Sequence, residues 1–110
     1  MISDGDLHEE EAFTWRLSKA AKNLAKHGIS FDEANLIFSD FFIVDFGEDR
    51  RGSYLEQRFN SMGRTRGETK VHVTYTYTED DRIHIISARP LSPHEKRIWI
   101  ANNPPINPPV

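Results

Sequence analysis

Residues 71–78 and 82–89 both alternate apolar and polar side chains, and only Glu79, Asp80 and Asp81 separate them. So short a connection requires adjacent antiparallel strands, because a parallel return needs a crossover of a dozen residues or more. A third strand segment, 54–62, is tied to this pair by Gly63-Arg64-Thr65-Arg66-Gly67. Phe41-Phe42-Ile43-Val44-Asp45-Phe46 reads as a fourth, largely buried strand, followed by a charged loop over 47–53. Phe13-Thr14-Trp15-Arg16 is a short additional strand with Trp15 as its apolar anchor.

Helix signals flank this meander. Leu17, Ala20, Ala21, Leu24 and Ala25 recur at helical spacing, with Ser18 as N-cap and Gly28 just past the end. Ser30 and Glu33 form a capping box that starts a second helix over about 31–38. Ser92-Pro93-His94-Glu95 starts a third, with Pro93 at the first helical position. The Pro-rich stretch 104–110 cannot continue that helix. Helices segregated from a run of antiparallel strands give an α+β, two-layer domain. Residues 1–12 read as a mobile acidic leader, 13–103 as the folded domain and 104–110 as a tail.

The chain has 110 residues, enough for one modest core, and no cysteine, so neither disulfides nor thiolate metal sites are available. That usage suits a reducing cytoplasm. No apolar run reaches the roughly 18 residues of a spanning helix, and the acidic N-terminus lacks a signal peptide's basic start. A soluble cytoplasmic protein is expected.

The net charge of −3 conceals segregation. Residues 1–12 carry five acids and no Lys or Arg; residues 13–28 carry Arg16, Lys19, Lys22 and Lys26 and no acid. Screening limits electrostatic reach to about 8–10 Å, so local patches rather than the total decide what binds. Arg89, where the last strand ends, can meet a phosphate bidentately or form a structural pair with Glu95 or Asp40. Arg58 shares its strand side with Glu56 and can touch an anion or pair across the sheet. Arg64 and Arg66 lie in the Gly-flanked loop. Lys19, Lys22 and Lys26 make a cationic helical stripe that is expected to converge with Arg89 on one anion pocket. Lys26 and His27 also close that helix, where cations suit the macrodipole. His72 and His84 fall on neighbouring strands, where paired imidazoles could exchange protons near neutral pH. Tyr75 and Tyr77 read as core, whereas Trp99 is open to base stacking. No HExxH motif or Cys/His cluster is present, so no metal or cofactor is expected.

These segments resemble the BrnT family of type II toxins. The resemblance rests on Trp15, on Lys22-Asn23-x-x-Lys26-His27-Gly28-Ile29-Ser30-Phe31-Asp32-Glu33-Ala34, and on Phe38-x-Asp40. It continues through Glu56-x-Arg58-Phe59-x-x-x-Gly63, Asp81-Arg82-Ile83-x-Ile85-Ile86-Ser87-Ala88-Arg89 and Glu95-x-Arg97. The chain departs from the family pattern at His84, Pro90 and Trp99. The resemblance implies a RelE-like antiparallel sheet of four to five strands with two N-terminal helices and one C-terminal helix. It also implies a toxin that cleaves mRNA without a metal, and a BrnA-like ribbon–helix–helix antitoxin bound in a hetero-oligomer. DNA would be met only through that antitoxin.

For such chemistry a base must take the ribose 2′-OH proton, a cation must stabilise the phosphorane, and an acid must meet the leaving oxygen. The expected catalytic set is Arg89, Arg58, Glu56, Lys26 and His27; the expected RNA contacts are Lys19, Lys22, Arg64, Arg82 and Trp99. The alternative is a catalytically weak module that binds its antitoxin and tunes operon repression.

Overall fold

The structure is a computed structural model that describes residues 4–49 and 57–105. Its elements are β1 (Leu7–Glu9), β2 (Phe13–Arg16), α1 (Leu17–His27), α2 (Phe31–Ala34) running on as a 3-10 turn (Asn35–Ser39), β3 (Val44–Asp49), β4 (Arg58–Arg64), β5 (Lys70–Tyr77), β6 (Ile83–Pro90) and α3 (Pro93–Asn102). The α+β class is as expected. Among the described residues, however, the sheet has six strands in the order β1-β2-β6-β5-β4-β3, and it is mixed, because β2 runs parallel to β6.

The β3-to-β6 meander is antiparallel throughout, as its short connections require. The extra strand comes from the acidic leader: Leu7–Glu9 pairs with β2. Asp6, just before it, caps α1. The backbone N–H and hydroxyl of Ser18 both donate to the Asp6 carboxylate, at 2.9 and 2.7 Å. The helix therefore starts one residue before the proposed Ser18 cap, with Arg16 at the N-cap position and the capping oxygen supplied from twelve residues upstream. Gly28 ends the helix at φ 71°, a left-handed conformation that glycine adopts without strain.

Ser30 accepts from the Glu33 N–H as expected. The α-helix is nevertheless only one turn before it tightens to 3-10. Phe41 and Phe42 are not in a buried strand. Asp40 accepts the Phe42 N–H and its carbonyl accepts the Ile43 N–H, which turns the chain and leaves Phe41 91% exposed. β3 begins only at Val44.

One sheet face carries Trp15, Val71, Val73, Tyr75, Ile85 and Ala88, packed against Ile29, Phe31, Ala34 and Ile37. Gly63 allows the closest approach on this face: a Cβ there would lie 2.8 Å from Ile37 Cβ. Tyr75 is core as expected, its hydroxyl bonded to Ser61 at 2.8 Å and its pKa raised by burial. Tyr77 is exposed instead. The other face packs Met62 against Leu91 and Trp99 of the α3 region, so Trp99 is only 6% exposed rather than open.

Candidate functional site

The face bearing Met62 is polar along most of its length, and its side chains align in cross-strand rows. In the first row Thr14 of β2, His84 of β6 and Thr76 of β5 are direct neighbours. The buried Thr14 hydroxyl lies 2.7 Å from His84 Nδ1. Thr76 donates to the carbonyl of Gln57, beside Arg58 at the start of β4. In the second row Ser87, Thr74 and Asn60 are neighbours, and Thr74 donates to Asn60 Oδ1 at 2.8 Å. The third row joins Arg89, His72 and Met62.

A bulge in β6 makes this arrangement possible. The register shifts by one between Tyr75↔Ile85 and Thr74↔Ser87, so Ile86 is the extra residue. Strict alternation from Ile83 and Ile85 would have turned Ser87 and Arg89 into the core. The bulge reverses that parity, so Ala88 enters the core and Arg89 joins the face of His72 and His84. It also explains why the two histidines are not a pair. His84 is opposite Thr76 and His72 is opposite Arg89, four residues apart along β5.

Glu95 of α3 closes the third row. Arg89 Nη1 and Nη2 donate to its two oxygens at 2.7 and 2.9 Å. His72 Nε2 lies 3.5 Å from Oε2. The same carboxylate completes the capping box of α3, accepting the Ser92 N–H at 2.8 Å. Burial opposes its ionisation, but the Arg89 and Ser92 hydrogen bonds and the nearby His72 outweigh it and lower its pKa to about 2. Arg89 therefore realises the structural pair with Glu95. Among the described residues its Nε–H makes no hydrogen bond, which leaves one guanidinium edge for another acceptor.

Arg64 and Arg82 are also held by carboxylates. Arg64 is not a solvated loop charge: it ends β4, donates from Nε and Nη2 to Asp40 at 3.1 and 2.9 Å, and stacks over Phe42. Burial raises the Asp40 pKa, and the hydrogen bonds from Arg64 and from the Phe42 and Arg64 N–H groups lower it by more. Arg82 is paired with Glu9 and Asp80, each at 3.0 Å. Glu56 lies outside the described residues.

Asn23 determines where α1 sits. β2 accompanies β6 only from Ile83 to Ile85. Beyond that point the Asn23 amide replaces the missing strand, donating to Ala88 O at 2.8 Å and accepting from Ala88 N at 3.0 Å. Lys19, Lys22 and Lys26 are exposed along the helix, and His27 occupies its last turn. Among the described residues no hydrogen bond or ion pair joins them to Arg89, so the expected common pocket is not formed by direct contact. Trp99 lines a cleft of about 770 Å³ with Phe42, Arg64, Lys70 and Asn102, and the Lys70 ammonium lies 5.9 Å from its ring centre.

Sequence reading passed over Thr14, Asn60 and Lys70. Thr14 and Asn60 carry a retrospective signal, as polar residues inside strands. Among the described residues no group of three His, Asp, Glu or Cys could hold a metal ion, and no helix is long and apolar enough to cross a membrane.

Residues 15–95 match the model of the family described as the ribonuclease toxin, BrnT, of type II toxin–antitoxin systems. The fold is similar to the crystal structure of the Brucella abortus ribonuclease toxin BrnT, with 26% identity and a TM-score of 0.55 over 71% of this chain and 92% of that one. No curated protein matches the chain. The matched segment runs from Trp15 to Glu95 and takes in the polar rows apart from Thr14, so the chain belongs to the BrnT family of ribonuclease toxins.

Proposed function

We propose that this toxin cleaves mRNA on the polar sheet face by transesterification through the ribose 2′-OH, without a metal ion, and thereby arrests growth. The observation that carries this reading is the β6 bulge, which turns Arg89 onto the face that also bears Arg58 and His84. Two guanidiniums can flank a phosphate there, with Ser87, Thr74 and Asn60 between them. Glu95 holds Arg89 in place while one edge of its guanidinium stays available. In this reading Arg58 and Arg89 stabilise the phosphorane, and Trp99 and Lys70 line a path for the flanking nucleotides. The lysines of α1 attract the backbone at longer range. A ribbon–helix–helix antitoxin neutralises the toxin in the cytoplasm and carries the DNA contacts of the complex.

The test is cleavage of a mixed-sequence transcript by purified protein in EDTA. The expected products end in a 2′,3′-cyclic phosphate and a 5′-hydroxyl, and Arg58→Ala or Arg89→Ala lowers the rate by about 10²-fold or more. Intact RNA at high protein concentration would refute the reading. One observation favours the alternative of a catalytically weak, antitoxin-binding module: Arg64, Arg82 and Arg89 each already hold a carboxylate. Antitoxin capture by a chain that neither cleaves RNA nor arrests growth would decide for it.

A further inference from the structure

We infer that the groove between α3 and the strand ends holds single-stranded RNA on one side of the cut, with Lys70 and Lys96 on its phosphates and the Phe41–Phe42 pair receiving a base. The inference rests on the RNA-cleavage reading above and deepens it: the substrate is an unpaired strand several nucleotides long.

The cleft that Trp99 shares with Phe42 and Arg64 does not stand alone. A second cleft, of about 390 Å³, meets it at Lys70 and Trp99, which line both. One wall of the joined groove is the ends of three adjacent strands. Pro90 closes β6, Lys70 opens β5 and Arg64 closes β4, and Lys70 and Arg64 are direct cross-strand partners. These two residues therefore extend the polar face by one row beyond His72 and Met62. The other wall is α3, where Lys96, Trp99 and Ile100 share a face at i, i+3 and i+4. Pro90 directly follows Arg89, so the groove begins beside the proposed phosphate site.

Charge and length both suit a nucleic-acid strand. No Asp or Glu lines either cleft, although the chain carries a net charge of −3. Arg64 is engaged by Asp40, whereas among the described residues Lys70 and Lys96 form no ion pair. Lys70 is half-buried with its ammonium set against the Trp99 ring, so its charge is held in the groove. Three strand ends cover two strand spacings, about 10 Å. That length takes about three nucleotides at a stacked spacing of about 3.4 Å.

At the β4 end the groove reaches Phe42, which is 44% exposed. Phe41 packs edge-on against it, 5.4 Å between ring centres, and stays open to solvent. A base of an unpaired strand can stack on such a ring, whereas in an A-form duplex the bases are stacked on one another. An acidic protein segment would meet the same cations. RNA is favoured because the groove continues the face that bears Arg89, in a family of ribonucleases.

The experiment measures kcat/KM in EDTA for three substrates: an unstructured RNA 12-mer with a mapped cut, the tetramer centred on that cut, and the 12-mer annealed to its complement. Wild type is compared with Phe41→Ala and with the double variant Lys70→Ala, Lys96→Ala over a range of salt, and melting temperatures confirm that each is folded. Wild type should prefer the 12-mer to the tetramer by about 10²-fold and cleave the annealed strand about 10²-fold more slowly than the free one. The double variant should raise KM for the 12-mer about tenfold at low salt. Its slope of log KM against log salt should fall by about 1.4, two phosphates at about 0.7 each. Phe41→Ala should raise KM about five- to tenfold and leave that slope as it is. If the double variant keeps the wild-type slope and the wild-type preference for the 12-mer, the groove is not the RNA path, and RNA cleavage stands. Loss of antitoxin binding with that slope intact would overturn the inference too, by giving the groove to an acidic protein segment. Equal cleavage of free and annealed 12-mer would end the requirement for a single strand. If wild type leaves all three substrates intact, the cleavage reading itself fails and this inference with it.

Discussion

The two faces of the sheet solve different problems with the same strands. On one, Val71, Val73, Ile85 and Ala88 meet Phe31, Ala34 and Ile37, and burial of apolar surface explains the choice of nearly every residue. On the other, Thr14, Asn60 and His72 are as buried as core residues yet polar, and hydrogen bonds or ion pairs engage each of them. Such a bond contributes only about 1 kcal/mol net, whereas an orphaned buried partner costs about 1–3 kcal/mol. An aliphatic replacement would stabilise the fold more simply. In the proposed reading the polar face trades stability for chemistry, and the apolar face supplies the stability that makes this tolerable.

The first way to break this contrast is to damage the apolar face. Phe31→Ala removes a fully buried ring and is expected to cost about 3–5 kcal/mol in urea unfolding. Below its unfolding midpoint the variant should keep the pH profile of cleavage, because Phe31 touches no polar row. A profile that moved with the stability would show that the two faces are not separable. Gly63→Ala probes the same face from the opposite direction. Its new Cβ would lie 2.8 Å from Ile37 Cβ and 3.3 Å from the Ile37 backbone, so overpacking of about 2 kcal/mol is expected. Adding Ile37→Val should not recover that loss, because valine keeps the contacted Cβ and backbone; recovery would place the strain farther out along the Ile37 side chain.

The contrast also explains what was legible in the sequence. Gly28, Ser30 and Ser92 are caps set by residues within a few positions, so the helix ends could be read locally. The hairpin of β5 and β6 followed from a three-residue connection. Asp6 as the cap of α1 could not be read this way, because β1 must first fold onto β2 to bring it there. Phe41 and Phe42 looked like strand because they are apolar, but Asp40 turns the chain at that point. The largest loss was Arg89. Its face depends on a single extra residue, Ile86, and alternation alone carries no mark of a bulge. The placement of Trp99 failed for a related reason: which face α3 covers follows from where β6 delivers the chain.

On the polar face, the charge of Glu95 gives a pH-dependent handle. Its folded pKa of about 2 lies below the ordinary 4.5, so ionised Glu95 stabilises the fold above about pH 5, and that stability is lost as pH falls towards 2. Arg89 is partly exposed and solvent screens the pair, so the expected contribution is about 1–2 kcal/mol. Glu95→Gln should therefore melt about 5–10 °C below wild type at pH 7 and converge with it by pH 2. A constant gap across that range would assign the effect to packing rather than charge.

The smallest effect is expected where neither face is involved. Lys19, Lys22 and Lys26 are exposed on α1, where Asn23 rather than any lysine makes the contact with Ala88. Replacing all three with Ala should change stability by less than about 0.5 kcal/mol, since surface positions of this kind carry little fold energy. Their role in the proposed scheme is attraction at a distance, which salt screens over about 8–10 Å. KM for RNA should therefore rise several-fold at low ionic strength and approach the wild-type value at high salt, with kcat unchanged throughout. A fall in kcat that persists in high salt would place the lysines at the reacting phosphate, join α1 to the polar face, and revive the single anion pocket that the sequence suggested.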